Sequence, residues 1–403
     1  MKSKSLLKLL GVVALVTMIT LAFMPSCAAP APAEPTKTIK YGVVVALTGP
    51  GAEWGIGHLR AVHLWAEDVN AAGGIRVGDE RYRVEVIGGD TKSDPKIAIE
   101  IASKLIYEDG VTFITVNPPC NAAIQPLLTK NKVFSTVHRL PPLLKPEWPY
   151  AFSGTPDGTD VSRATYLWLQ EEHLGLTRVG NIVTDDIFGH GSYDLAVPVY
   201  EELGFENVGV QWMPVDVSDV YPFVSAIVAK GVDVIDASGT YAEHGGLIVK
   251  AARELGFWGP ILLTGVLPAV MAEIAGWEKA EGSVTAGGWQ HTENWEGATE
   301  KELEVYNKYI KRYGSADKIN SISYNDGWVM QQAIEKAQSL DPDKILEALH
   351  THEFQTLHGT YRFTGKGRYG IDNQLPPPVW VSVFTGGTLK TVGVVVTPLE
   401  YLE

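Results

Sequence analysis

Ile39-Lys40-Tyr41-Gly42-Val43-Val44-Val45-Ala46-Leu47-Thr48-Gly49-Pro50 runs through residues 51–57 into a helical pattern that ends Val69-Asn70-Ala71-Ala72-Gly73-Gly74-Ile75. A nearly continuous apolar run that breaks at a Gly/Pro turn and continues as a helix is the pattern of a strand covered on both faces. It reads as the opening β-α unit of a parallel sheet. The loop after such a strand falls at the carboxyl edge of the sheet, where open α/β folds bind ligands.

The same alternation continues outward. Strand-like runs at 82–87, 111–116 and 133–136 are separated by helical patterns at 94–108 and 121–131. A second series places strands at 178–183, 208–213, 232–237 and 261–264 among helices at 159–173, 190–203, 221–230 and 243–255. Leu247, Ile248, Ala251, Ala252 and Leu255 fall at helical spacing and form one core-facing stripe. Short strands alternating with helices predict parallel βαβ units with right-handed crossovers. The chain thus reads as α/β, with two doubly wound parallel-sheet lobes.

The first passage between lobes is expected at Ser153-Gly154-Thr155-Pro156-Asp157. A strand at 283–286 running into Gly287-Gly288-Trp289 reads as a second, and Pro376-Pro377-Pro378 before strands at 379–384 and 389–396 as a third. Three crossings make a hinge. Helices at 299–313 and 323–338 would rejoin the first lobe. The expected division is 38–155 with 289–365 in lobe 1 and 156–288 with 376–403 in lobe 2.

The amino end reads as targeting rather than structure. Lys2, Lys4 and Lys8 precede an apolar run at 9–23 and then Met24-Pro25-Ser26-Cys27, the pattern of a secretory signal over 1–26. Residues 27–37 are Ala/Pro-rich and unable to form a core, so they read as a tether. No later apolar run approaches the roughly 18 residues a bilayer span needs. Removing residues 1–26, with their three Lys, takes the net charge from −14 to −17. That acidity argues against nucleic acid and anionic headgroups as partners. With only Cys27 and Cys120 in 403 residues, the fold is not disulfide-built, and the length favours two domains.

Ordered motifs carry a resemblance over nearly the whole mature chain. Leu47-Thr48-Gly49-Pro50 and Asn70-Ala71-Ala72-Gly73-Gly74-Ile75 open it. Ser93-Asp94-Pro95-Lys96, Gln125-Pro126, Phe188-Gly189-His190-Gly191 and Ala252-Arg253-Glu254-Leu255-Gly256 follow. Ile274-Ala275-Gly276 before Ala280-Glu281-Gly282 completes it. In that order and spacing the chain resembles the extracytoplasmic solute-binding proteins of ABC importers, in the branched-chain amino-acid group. The resemblance implies the type I periplasmic binding fold, in which ligand is trapped as the lobes close. It also implies a permease and its ATPase as partners, a periplasmic or cell-surface location, a monomer, no cofactor and no metal. The placement of Cys27 resembles a lipobox and implies acylation there, although Met24 stands where Leu is preferred and Pro25 is unusual. Ordinary cleavage and secretion is the alternative.

In amino-acid binders of this family, hydroxyls and amides after the third and fourth strands hold the α-carboxylate. An acidic residue of the second lobe and an Asp near the first crossing hold the ammonium. The alignment puts Asn121 at a family Ser and Arg139 at a family Thr, with Val137 and His138 just before it. Asp157 matches the crossing Asp, Thr264 falls at the ammonium-holding Glu, Phe188 replaces a Tyr, Tyr241 keeps one, and Trp54 matches an aromatic of the opening loop. Loss of that Glu leaves an ammonium without its counter-charge, which is costly when buried. Arg139 offers a guanidinium fork for a carboxylate, worth about 1.5–3 kcal/mol per charge-assisted bond. Trp54, Phe188 and Tyr241 supply aromatic walls.

Plainer readings stand beside these. Arg139 reads equally as a solvated loop charge, and His138 as a loop residue with its own partner. Trp54 reads as a lobe-edge cap, Phe188 and Tyr241 as core, Asp157 and Asn121 as helix caps, and Thr264 as a strand end. Cys120 reads as a small packing residue. No nucleophile elbow, phosphate loop, dinucleotide fingerprint or zinc spacing is present, and His350-x-His352 does not share a helix face, so an enzyme is not expected. The expected function is capture of a small carboxylate with an apolar or aromatic body for delivery to a permease. Amino acids or amides are the alternative ligands, and a sensing ectodomain of a signalling system the alternative class.

Overall fold

The computed structural model describes residues 37–49, 51–116, 118–138, 143–172, 175–263, 268–287, 298–314 and 322–395. Two large sheets carry the chain. The first is built from β1 (Lys37–Val45), β2 (Ile75–Val77), β3 (Glu80–Asp90), β4 (Phe113–Val116), β5 (Phe134–Thr136) and β6 (Ala151–Phe152), in the order β2-β3-β1-β4-β5-β6. Strand β1 is central and pairs in parallel with β3 and β4. Its last five residues are all buried, as two-sided cover requires.

One face is covered by α1 (Ala52–Ala71), α10 (Glu300–Tyr313), α11 (Ile322–Ala337) and α12 (Pro342–Thr351), around Trp65, Phe113, Phe134, Tyr309 and Phe354. The other is covered by α2 (Pro95–Tyr107) and α3 (Pro118–Lys130), around Ala102, Leu105, Ile124 and Leu128. Local chemistry starts these helices. Asp94 accepts from the Lys96 amide and Pro95 follows it, Thr299 and Glu302 form a capping box, and Asp341 accepts from the Asp343 and Lys344 amides.

The second sheet has seven strands. They are β7 (Arg178–Thr184), β8 (Glu206–Met213), β9 (Val234–Asp236), β10 (Ile261–Leu263), β11 (Ser283–Gly287), β14 (Val379–Thr385) and β15 (Thr388–Val395), in the order β15-β14-β11-β10-β9-β7-β8. Helices α4 (Gly158–Glu172), α5 (Ile187–Glu202), α6 (Tyr221–Val228) and α7 (Ala242–Glu254) cover its two faces, and the short α8 (Pro268–Ile274) and α9 (Trp277–Ala280) pack beside α7. A further hairpin of β12 (Glu353–Thr356) and β13 (Gly359–Arg362) packs Phe354 under α11.

The expected two-lobe α/β fold is thus present, with its main strands and helices within a few residues of their expected positions. The sheets are not purely parallel, however. Strand β2 returns antiparallel to β3 through the two-residue turn Gly78-Asp79, and β14 and β15 run antiparallel beyond β11. The third crossing enters its sheet at an edge and turns straight back, so no helix intervenes to make it parallel.

The first and third crossings are bonded to each other. Ser153 N donates to Asn373 O and Leu375 N to Ser153 O, each at 2.9 Å. Gln374 Nε2 donates to Thr155 O. The expected second crossing at 288–289 lies outside the described residues.

One device recurs in both lobes. The first turn of α1 presses on the end of β1, and a Cβ built on Gly55 would stand 1.6 Å from the Ala46 carbonyl oxygen. The first turn of α5 presses on the end of β7, and a Cβ on Gly189 would stand 1.9 Å from the Thr184 carbonyl oxygen. Both obstacles are backbone and cannot step aside. Gly55→Ala and Gly189→Ala should each destabilise the protein by about 2 kcal/mol or more. Gly393→Ala, whose new methyl meets Trp168 at an ordinary 3.4 Å, should stay within about 1 kcal/mol of the parent. Thermal melts followed by circular dichroism compare the three.

Candidate ligand-binding site

The residues just before those two glycines are aromatic, and they meet. Trp54 of α1 and Phe188 of α5 pack edge-on with ring centres 5.6 Å apart. Tyr241, at the N-cap of α7, closes a triangle at 5.7 Å from each of them. Trp54 thus reaches from the carboxyl edge of the first sheet onto that of the second. Gly51, held at φ 76°, lays the opening loop on the Tyr241 ring, where an added Cβ would come within 3.2 Å. Tyr241 donates its hydroxyl to Asp186 Oδ2 at 2.8 Å, and burial followed by that carboxylate pushes the phenol above its usual range. Asp186 also accepts from the Gly189 amide, so one carboxylate fixes both the α5 cap and Tyr241.

One helical turn beyond Trp54, His58 stacks on His138 with ring centres 5.0 Å apart and planes 9° from parallel. His58 Nδ1 lies 2.6 Å from Ser323 Oγ. Burial, and then the neighbouring ring of His138, hold the His58 imidazole well below its usual pKa. His138 donates from Nε2 to Asp326 Oδ2 at 2.9 Å, and both side chains are almost wholly buried. Ser323 and Asp326 come from the first turns of α11. Beside them, Gly154 of the first crossing lies so close that an added Cβ would come within 2.7 Å of Asp326 Oδ1. A cavity of about 20 Å³ opens there, lined by Thr136, Gly154 and Asp326 on its polar side and by Phe152, Met330 and Phe363 among its apolar walls. That volume accommodates about one water.

Asp157 is buried at the first crossing and already engaged. Its carboxylate accepts from the Asp160 amide at 2.9 Å, which caps α4, and from the Tyr369 hydroxyl. Arg368, in the single turn α13 (Lys366–Tyr369), reaches Asp157 Oδ2 at 3.3 Å and Asp160 Oδ1 at 2.9 Å from the same nitrogen. One guanidinium therefore serves two buried carboxylates. Burial, and then the charge of Asp157, raise Asp160 to about 6.

The remaining sequence-predicted positions divide. Asn121 is not a helix cap, because α3 starts at Pro118. Its side chain donates to Thr136 O at 3.0 Å and accepts from Gln125, tying α3 to the end of β5. Val137 packs with Leu143, Leu144 and Ala151. Cys120 is buried and free, its thiol pushed up to about 11 mainly by burial. Arg139, Thr264 and Cys27 lie outside the described residues. Sequence reasoning missed His58, Asp186, Asp326 and Arg368. Only His58 carried a local signal, its four-residue spacing from Trp54. Among the described residues no group of three or more His, Cys, Asp or Glu gathers as a metal site, and no helix is long and apolar enough to cross a membrane.

A family model described as periplasmic binding protein matches residues 38–387. Among curated proteins the chain is similar to a leucine-, isoleucine-, valine-, threonine- and alanine-binding protein of Pseudomonas aeruginosa. The two are 24% identical over 339 residues, covering 82% of this chain and 87% of the relative. Among solved structures a leucine binding protein of Thermotoga maritima superposes with TM-score 0.75 at 23% identity, over 89% of this chain and 99% of that one. A solute binding protein of an ABC transporter from R. palustris, in complex with benzoate, superposes with TM-score 0.76 at 14% identity, over 91% and 99%. These likenesses establish the shared fold.

The Asp160 pair makes stability depend on pH in a defined sense. A carboxyl near 6 when folded and about 3.9 when unfolded binds its proton more tightly in the native state. Its contribution is therefore greatest below about pH 4 and is lost as pH rises through about 6. Asp160→Asn should remove that slope, gaining on the parent by on the order of 2 kcal/mol between about pH 4 and pH 7.5. Denaturant melts of both proteins across that range read the difference.

Proposed function

Because the chain belongs to the periplasmic binding protein family, with its two-lobed type I fold, we propose that it is the extracytoplasmic receptor of an ABC importer for a small carboxylate with an apolar or aromatic body. One observation carries the choice of ligand. Asp157, the position the family resemblance gives to ammonium binding, has its carboxylate committed to Arg368, Tyr369 and the cap of α4. A zwitterionic amino acid entering the gap would bring an ammonium to a carboxylate whose oxygens are already taken by Arg368, Tyr369 and the α4 cap, and a buried unpaired ammonium is strongly disfavoured. Trp54, Phe188 and Tyr241 supply an aromatic wall between the lobes, and His138 and Arg139 supply polar partners for an anion. Thr264, in place of a carboxylate, supports the same reading.

The two lobes divide as 38–155 with 289–365 and 156–288 with 376–403. Residues 1–26 form a signal, and Cys27 with its Ala/Pro tether holds the receptor to the membrane by a lipid. The receptor is monomeric and passes its ligand, chemically unchanged, to a permease driven by an ATPase. The amino-acid specificity named for the P. aeruginosa relative favours the alternative of a branched-chain amino acid.

Benzoate, phenylacetate, isovalerate, leucine and leucinamide separate these readings in a thermal-shift screen followed by calorimetry. At about one hundred times its Kd a ligand adds about 2.7 kcal/mol of stability. An acid should raise the melting temperature and be recovered intact, while leucine leaves it unmoved. Tight leucine binding with no response to any acid would reverse the assignment. Trp54→Ala should weaken the best acid about tenfold or more, through loss of the aromatic face.

A further inference from the structure

The segment between β13 and the third crossing is a loop closed at its base. Thr364 N donates to Gln374 O and Gln374 N to Thr364 O, each at 2.9 Å. Asn373 fastens the loop to the first lobe, donating to Pro149 O at 3.1 Å and to Ala151 O at 2.8 Å. Its Oδ1 lies 2.7 Å from His350 Nε2 of α12. The tip is the single turn α13, where Lys366 N donates to Asp372 Oδ1 at 2.9 Å and Tyr369 packs against Val137, Leu143, Leu144 and Ala151. The tip is therefore fixed from within the first lobe. What it reaches belongs to the second. Asp157 and Asp160 stand at the start of α4, whose Val161, Ala164 and Leu169 lie in the core of the second sheet. Arg368 brings Nη1 to 2.9 Å from Asp160 Oδ1 and 3.3 Å from Asp157 Oδ2, and Tyr369 donates its hydroxyl to Asp157. The side chains of Asp160 and Asp157 are only 7% and 2% exposed. A charge-assisted pair so buried is demanding of geometry, because parting it strands a charge out of water.

We propose that Arg368 is a positioning residue for closure: carried by the first lobe, it clasps Asp157 and Asp160 of the second and sets the registry in which Trp54 meets Phe188 and Tyr241. This rests on the receptor reading above in one respect, that the lobes move. The paired first and third crossings can bend without losing the bonds between them. The loop tip and the first turn of α4 stand off that pair and belong one to each lobe, so a swing of the lobes changes their separation. A hydrogen bond of 2.9 Å is lost once its atoms part by about an ångström. The clasp is thus made in one registry and broken in others. It needs no contact with the guest. By favouring the binding-competent arrangement it strengthens affinity for any guest in proportion to the population it adds.

Single-molecule energy transfer between dyes on Lys96→Cys of α2 and Asp194→Cys of α5 reads the width of the gap without any ligand. Both positions are exposed, Cys120 is buried, and the full chain carries Cys27→Ser. At about pH 7.5 Asp160→Asn should widen the distribution and reopen about tenfold faster than the parent. Its stability, by the argument given for the Asp160 pair, moves the other way. A residue that only stabilised the fold would shift melting and opening together. Arg368→Asp should open the gap further by gathering three carboxylates, and Arg368→Asp with Asp160→Arg should return the narrow state. Parent widths and reopening rates in Asp160→Asn and in Arg368→Asp would overturn the clasp and leave the receptor standing. A parent whose gap keeps one width alone, with benzoate and with leucine would remove the moving receptor, and the clasp with it.

Discussion

The site depends on how closely a helix is allowed to approach the strand it follows. At Gly55 and at Gly189 the first helical turn lies against a strand-end carbonyl with no room for a side-chain carbon. A larger residue would lift each helix off its sheet. The residue immediately before each glycine is the aromatic that reaches toward the other lobe. Trp54 and Phe188 therefore meet because two independent β-α units were each packed to the limit of backbone contact. Tyr241 is added from a third unit and locked by Asp186, the same carboxylate that caps the helix carrying Phe188.

Charge is handled differently from shape. The described carboxylates near the gap are engaged within the protein: half-buried Asp186 by Tyr241 and the α5 cap, buried Asp326 by His138, and buried Asp157 by Arg368 and Tyr369. Burial of a carboxylate is tolerable only under such conditions. The consequence for recognition is that fixed negative charge faces inward. On the reading proposed above, the aromatic surfaces and the imidazole edge are left to meet a guest.

Much of the architecture could be read from local pattern. The apolar run of β1, the Gly-rich passage after it and the caps at Asp94 and Thr299 are short-range signals, and the strands and helices lie within a few residues of where those signals put them. Strand β2 escaped because three residues between two glycine turns carry no period. The β12–β13 hairpin escaped because its first strand fully buries only Phe354 and Thr356. Helix α12 is announced only by Asp341-Pro342, a start signal that spans two residues. The site was legible only in part. Trp54, Phe188 and Tyr241 sit in motifs, whereas Asp157 meets Arg368 across 211 positions and His138 meets Asp326 across 188. Pairings so distant leave no periodic trace in one chain. They appear only when both ends are folded.

The bonded pair of crossings has a mechanical consequence. Ser153 and Gln374 lie on segments that exchange main-chain and side-chain hydrogen bonds, so the two segments flex together as a single ribbon. A ribbon yields easily across its flat face and stiffly along its edge. Lateral shear would break the bonds that Ser153 makes with Asn373 and Leu375, whereas a swing about the ribbon preserves them. Of the relative motions two such halves could make, the pairing favours the one that leaves these bonds whole, as a book opens on its spine.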